Sequence, residues 1–130
     1  MNFPPAVVVH GLRHARAALA PGLPVTLLSA RGAAAYAGCG WWRALMQTCG
    51  AEIDILDCAD APGYAMAALR IGQRRIILDR GPAFAAVSAA ATVLGATVLA
   101  ARPEALDLAD HRAARSLLTW LQGDKANRLS

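Results

Sequence analysis

The sequence has few of the residues from which small proteins build cross-links, metal centres or nucleic-acid-binding surfaces. Aromatic residues make up 5% of the 130 residues and charged residues 17%. The cysteines Cys39, Cys49 and Cys58 are odd in number and include no Cys-x-x-Cys pair, so neither a disulfide framework nor a zinc knuckle is indicated. Met1 to Pro5 lack the basic and apolar stretches of a secretory signal. We therefore expect a cytoplasmic protein with reduced thiols.

The excess of basic residues is small, and its distribution does not resemble a nucleic-acid-binding surface. The formal net charge is +4, but the only cluster is Arg70, Arg74 and Arg75, and no aromatic residue lies among these arginines. We expect no binding to nucleic acid.

One uncharged stretch is long enough to cross a bilayer, from Gly81 to Ala101. It is rich in alanine rather than leucine, Pro82 suits the start of a helix, and Gly95 divides it before the β-branched Thr97 and Val98. The stretch therefore predicts a helix followed by a strand, and no membrane span.

Hydrophobic residues make up 56% of the chain, and they are arranged as short apolar runs between helical stretches. Continuous apolar runs are typical of strands in a parallel sheet that is covered on both faces. The predicted strands are Ala6 to Val9, Pro24 to Leu28, Ile53 to Leu56, Arg75 to Leu78 and Thr97 to Ala100. The predicted helices are Leu12 to Ala20, Trp41 to Cys49, Tyr64 to Ile71, Ala83 to Leu94 and Asp110 to Gln122.

This alternation predicts one α/β domain over residues 1–123, followed by a polar C-terminal tail over residues 124–130. The expected architecture is a five-stranded, mainly parallel sheet in a flavodoxin-like three-layer arrangement. The alternative is a half (βα) barrel, which would need a second copy to close.

In either architecture, ligands bind beyond the carboxyl ends of the strands. This rule selects a set of candidate ligand-binding residues: Arg13, Ser29, Arg31, Gly32, Gly38, Gly40, Asp60, Asp79 and Arg80. His10, Asp57 and Cys58 are candidate catalytic residues, with His10 as a base beside Cys58 or Asp57. The aspartates could instead bind Mg²⁺ or cap backbone groups, and no motif identifies a cofactor.

The most distinctive segment is the small-residue loop Ser29-Ala-Arg-Gly-Ala-Ala-Ala-Tyr-Ala-Gly-Cys-Gly-Trp-Trp. Its glycines would let backbone amides approach an anion, and Arg31 would neutralise it, although the loop is no Walker A motif and a plain structural loop remains the alternative. The segment resembles a block in small bacterial proteins that carry Ser-Ala-x-Gly-Ala-Ala-x-Tyr-Ala-Gly-x-Gly-Trp-Trp. The resemblance covers Ser29 to Trp42, with some support from Asp57 to Gly63, and it implies no activity because none is known for those proteins.

The helix Ala83 to Leu94 predicts a partner surface. Phe84, Val87, Ala91 and Leu94 form a core stripe, but the opposite side is also apolar, which is typical of a buried helix. We expect a homo-oligomer that uses this face. The sequence thus supports two hypotheses: a site for an anionic small metabolite at the carboxyl edge, or a non-catalytic oligomeric interaction module.

Overall fold

The computed structural model describes residues 2–123, and within them six strands alternate with seven helices. The strands are β1 (Ala6–Val8), β2 (Thr26–Leu28), β3 (Asp54–Asp57), β4 (Arg75–Ile77), β5 (Thr97–Leu99) and β6 (Ala105–Asp107). The helices are α1 (Leu12–Leu19), α2 (Ala33–Tyr36), α3 (Cys39–Cys49), α4 (Pro62–Arg70), α5 (Phe84–Val93), α6 (His111–Ala114) and α7 (Leu117–Leu121). The expected polar tail, residues 124–130, lies outside the described residues.

Each apolar run that the sequence marks as a strand contains one of β1 to β5. Three features differ from the sequence-based expectation. A sixth strand, β6, follows β5 after five residues, and the expected helix from Asp110 to Gln122 is divided into α6 and α7. The small-residue loop contains the short helix α2. The stretch from Gly81 to Ala101 holds α5 and β5, as expected.

All strand pairings are parallel, in the spatial order β5-β4-β3-β2-β1-β6. The α/β class and the parallel sheet are therefore confirmed, whereas the expected number of five strands is corrected to six. The order also departs from the 2-1-3-4-5 order of flavodoxin-like sheets. The first five strands lie side by side in chain order, and right-handed connections then place their helices on one face of the sheet.

The two faces of the sheet are covered differently. One face carries Val7, Leu27, Leu56 and Ile76, which pack with buried helix residues in the larger apolar cluster. The other face, called the inner face below, carries Val8, Leu28, Ile55 and Ile77. These four pack only with Phe3, Leu99 and Ala105, none of which belongs to a helix. Within residues 2–123, the expected three layers are therefore replaced by one sheet with helices against one face.

The sheet is curled around its inner face. Its edge strands β5 and β6 are five strand spacings apart, which would be about 24 Å in a flat sheet. Only residues 100–104 connect them, and this length of chain spans about 21 Å when fully extended. In addition, Arg102 in this connection donates to the carbonyl oxygen of Ser29 over 3.1 Å, so the connection passes the carboxyl end of β2.

A buried polar cluster anchors α3 at the opposite end of β3. Trp42 is fully buried, and its Nε1 donates to Oδ2 of Asp54 over 2.8 Å. Nε2 of Gln73 donates to the same oxygen over 2.7 Å, and Arg43 donates to Oε1 of Gln73 over 3.1 Å. Trp41 lies 38% exposed. Trp42, at the end of the small-residue segment, therefore has a structural role.

Among residues 2–123, no helix has the length and the apolar character that crossing a membrane requires.

Candidate functional site

Polar side chains gather at the carboxyl ends of the strands, on the inner side of the sheet. Side chains alternate along a strand, so a residue two positions after an inner-face residue lies on the same side. Four polar residues follow the inner-face residues Val8, Ile55, Ile77 and Ala105 at this spacing: His10, Asp57, Asp79 and Asp107. The common direction of the strands brings them to one edge of the sheet, which is the edge that the sequence selects.

Asp57 is the centre of a buried hydrogen-bond network at this edge. Its side chain has no exposed surface, and its Oδ2 accepts from Nη1 of Arg102 over 2.6 Å. Its Oδ1 accepts from the backbone N–H groups of Gly32 over 3.1 Å and Ala59 over 2.7 Å. The backbone N–H of Asp57 donates to Oγ of Ser29 over 2.9 Å. The sequence-based prediction assigns the N–H of Gly32 to an anionic ligand. In the structure this N–H donates to the carboxylate of Asp57 instead.

The predicted ligand groups Arg31 and Asp79 bind each other. Nη2 of Arg31 lies 2.6 Å from Oδ2 of Asp79, and Nη1 lies 3.3 Å from Oδ1, so the contact is bidentate. The hydrogen bond and the charge of Asp79 raise the pKa of Arg31, and the hydrogen bond from Arg31 lowers the pKa of Asp79. Both side chains are partly exposed. The charge of Arg31 is therefore already balanced.

His10 pairs with Asp107, the last residue of the unpredicted strand β6. Its Nε2 lies 2.7 Å from Oδ1 of Asp107, and since a carboxylate only accepts, Nε2 carries the proton. Burial alone would raise the pKa of Asp107, but hydrogen bonds from the Ala109 N–H and from His10 outweigh it and lower that pKa. His10 thus has Asp107 as its hydrogen-bond partner, rather than Cys58 or Asp57.

Cys58 lies on the helix-covered face, with no exposed surface. Burial raises the pKa of its thiol to about 12, and the charge of Asp57 and the neighbouring Cys39 act in the same direction. Because the thiolate is the nucleophilic form, these surroundings are those of an inert structural cysteine.

The remaining predicted site residues lie apart from the Asp57 network. Gly38 precedes α3, and Gly40 lies in its first turn. Asp60 and Arg80 line a cavity of about 410 Å³ together with Asp79 and the first residues of α5. The guanidinium of Arg80 stands 5.0 Å from the centre of the Phe84 ring. The structure therefore does not bring all the predicted residues to one pocket.

A larger cavity at the same edge lies between α1 and α6 and holds about 550 Å³. Its polar lining residues are Arg13, His14 and His111, and its apolar lining residues are Ala17, Leu108, Ala109, Ala114 and Leu117. No carboxylate of the described residues lines it. We call it the basic cavity. Of these three polar lining residues, only Arg13 is among the candidate site residues that the sequence predicts.

All three histidines of the chain lie in or beside the basic cavity. His14 and His111 line it, and the ring of His10 packs edge-on against the ring of His14 with 5.5 Å between their centres. The backbone N–H of His10 donates to Nδ1 of His14 over 3.2 Å. In neutral His14 the proton is therefore on Nε2, and Nε2 has no hydrogen-bond partner within the described part of the chain.

The surroundings of His14 favour its neutral form. Burial lowers its pKa most, and the charges of His10 and Arg13 lower it further, against a smaller opposing effect of Asp107. Near neutral pH the basic cavity therefore offers the permanent charge of Arg13 and the neutral Nε2–H donor of His14. Arg13 forms no ion pair with any carboxylate among residues 2–123.

The aspartates expected as an alternative Mg²⁺ site are engaged elsewhere, since Asp57 binds Arg102 and Asp79 binds Arg31. Within the described residues, no group of three His, Cys, Asp or Glu side chains has an arrangement that could hold a metal ion.

Comparisons of the chain with protein-family models, with curated proteins and with solved structures found no match.

Proposed function

We propose that this chain binds a small anionic molecule at the carboxyl edge of its sheet, in the basic cavity. The observation that carries this proposal is that Arg13 has no ion-pair partner and the cavity has no lining carboxylate among residues 2–123. Arg31 and Arg102 at the same edge of the sheet bind Asp79 and Asp57, so their charges are already compensated.

The helices that form the walls of the cavity strengthen its positive potential. α1 carries Arg13 and Arg16 and no acidic residue, and Arg112 lies on α6. Two acids lie beside the cavity but do not line it: Asp107 binds His10, and Oδ1 of Asp110 accepts from the Arg112 N–H over 2.9 Å. A concave surface with one sign of charge raises the local concentration of ions of the opposite sign.

The proposal is tested by calorimetric titration of the protein with inorganic phosphate and with hexanoate at low ionic strength. We expect binding of at least one of these anions, weakened by about ten- to a hundred-fold in Arg13→Gln, because a hydrogen bond to a charged group is lost. Arg16→Gln is the matched control, since Arg16 is on the same helix but does not line the cavity. Equal effects of the two substitutions, or no binding of either anion, would overturn the proposal.

A second candidate function is self-association, which a different observation favours. Val93 and Leu94 at the end of α5 are 86% and 53% exposed, although Leu94 was expected in the core stripe. The adjacent β5 is an edge strand. No charged residue occurs from Gly81 to Ala101, so this stretch of the chain supplies no ion-pairing group of its own. A second copy presents the same uncharged surface and can pair with it by two-fold symmetry.

Sedimentation at micromolar concentration tests this second candidate. We expect a dimer or larger species in the unmodified protein and a monomer in Val93→Lys. Leu118→Lys is the control, because Leu118 is also exposed, at 54%, but lies on α7. A monomer in all three proteins would contradict self-association through α5.

A further inference from the structure

We propose that the ligand of the basic cavity is an amphipathic monocarboxylate, with one carboxylate at Arg13 and His14 and an apolar body against the rest of the lining. This inference rests on the proposed function, because it assigns a chemical class to the anion bound at the same site.

The apolar part of the lining favours a ligand that has an apolar body in addition to a charged group. Ala17 comes from α1, Leu108 follows β6, and Ala114 and Leu117 come from the C-terminal helices. The volume of about 550 Å³ is in the range of small-molecule pockets. An inorganic phosphate has five heavy atoms and would leave these apolar side chains in contact with water. An alkyl or aromatic body would cover them and gain the free energy of apolar burial.

The charged part of the lining matches a single negative charge. Arg13 supplies one permanent positive charge, and its planar guanidinium fits the two oxygens of a carboxylate. His14 adds the Nε2–H donor without adding a charge near neutral pH, because its surroundings favour the neutral form. A phosphate monoester with nearly two negative charges would find one permanent positive charge in the lining. The donor set therefore favours a monocarboxylate.

The dependence of affinity on chain length distinguishes this class from a simple anion. Each buried methylene group should tighten binding about fourfold until the apolar lining is covered. We therefore propose calorimetric titration of the full chain with acetate, butyrate, hexanoate and inorganic phosphate. Hexanamide, which has the same body and no charge, serves as the neutral comparison.

A substitution that fills the cavity shows where the chain of the ligand lies. Ala17 is exposed on α1, so Ala17→Leu places a larger side chain in the cavity without entering the core. We expect Ala17→Leu to remove the advantage of hexanoate over acetate, while Ala20→Leu, on an exposed position that does not line the cavity, leaves it unchanged.

The outcomes separate the two proposals. An affinity that increases from acetate to hexanoate, together with binding of hexanamide at least tenfold weaker than that of hexanoate, supports the monocarboxylate. Binding of phosphate that depends on Arg13, without any gain from acetate to hexanoate, would overturn the ligand class and leave anion binding in place. Equal binding of hexanamide and hexanoate would overturn the monocarboxylate as the ligand class, and no binding of any anion would overturn both proposals.

Discussion

Nη1 of Arg102 lies 2.6 Å from Oδ2 of Asp57, and the same nitrogen lies 3.1 Å from the carbonyl oxygen of Ser29. The arginine belongs to the connection between the two edge strands, and its partners end β3 and follow β2. One side chain thus joins the segment that crosses the curled sheet to the middle of that sheet. It also compensates a carboxylate that has no exposed surface.

Arg102→Ala should lower the free energy of unfolding by about 2 to 4 kcal/mol, because it leaves a buried carboxylate without its cationic partner. Equilibrium denaturation in urea measures the change. Arg115→Ala is the control, since Arg115 is exposed and forms no ion pair within the described residues, and it should change stability by less than about 0.5 kcal/mol. Equal free energies of unfolding of the two variants would show that the ion pair of Arg102 with Asp57 does not stabilise the fold.

Trp42→Phe should destabilise the protein by about 1 to 3 kcal/mol, because the buried Asp54 carboxylate loses the Nε1–H donor. The adjacent Trp41→Phe removes an indole that is partly exposed, and it should cost less than about 1 kcal/mol. Thermal denaturation of both variants measures the difference. A larger loss at Trp41 would contradict the assignment of Trp42 as the structural residue of the pair.

Cys58 should not react with a thiol reagent at pH 8 in the folded protein, because its thiol is buried and its pKa is raised to about 12. Cys39 and Cys49 are only half-buried and should react first. Mass spectrometry of the labelled peptides assigns the sites, and labelling in urea should reach all three. Rapid labelling of Cys58 before unfolding would return it to the candidate nucleophiles.

Much of the fold could be predicted from the sequence because its signals are local. The strands β1 to β5 lie in largely apolar runs, and glycine or proline stands near the ends of their helices. β6 has no such signal: its three residues are Ala105, Leu106 and Asp107, and none is β-branched or aromatic. Its strand conformation comes from pairing with β1, almost 100 residues earlier in the chain.

The lack of a sequence signal for β6 also limited which residues of the site could be predicted. The rule that selects residues after each strand identified Arg13 after β1 and Arg31 after β2. Because β6 carries no sequence signal, the rule does not select Asp107, which ends β6 and binds His10, or His111, which lines the basic cavity. The ion pair of Arg31 with Asp79 depends on side-chain geometry across the sheet edge, and sequence spacing does not specify it.

The pH dependence of stability should contain a contribution from His14. Its folded pKa lies below the value near 6.5 of an unfolded chain, so the unfolded state binds more protons between these two values. Stability is therefore full above about pH 6.5, decreases as the pH falls from there to the folded pKa, and then levels off. His14→Gln should show a smaller loss between pH 7.5 and pH 5 in urea denaturation. The same loss in both proteins would contradict the lowered pKa.

The account depends most on an anion binding beside Arg13 and His14. The direct measurement is the pKa of His14, followed by NMR through its ring resonances with and without saturating hexanoate. We predict a pKa below 6.5 in the free protein that rises when hexanoate is bound, because a carboxylate stabilises the protonated ring. In Arg13→Gln this rise should need a much higher hexanoate concentration. A His14 pKa that hexanoate leaves unchanged would show that the basic cavity does not bind the anion.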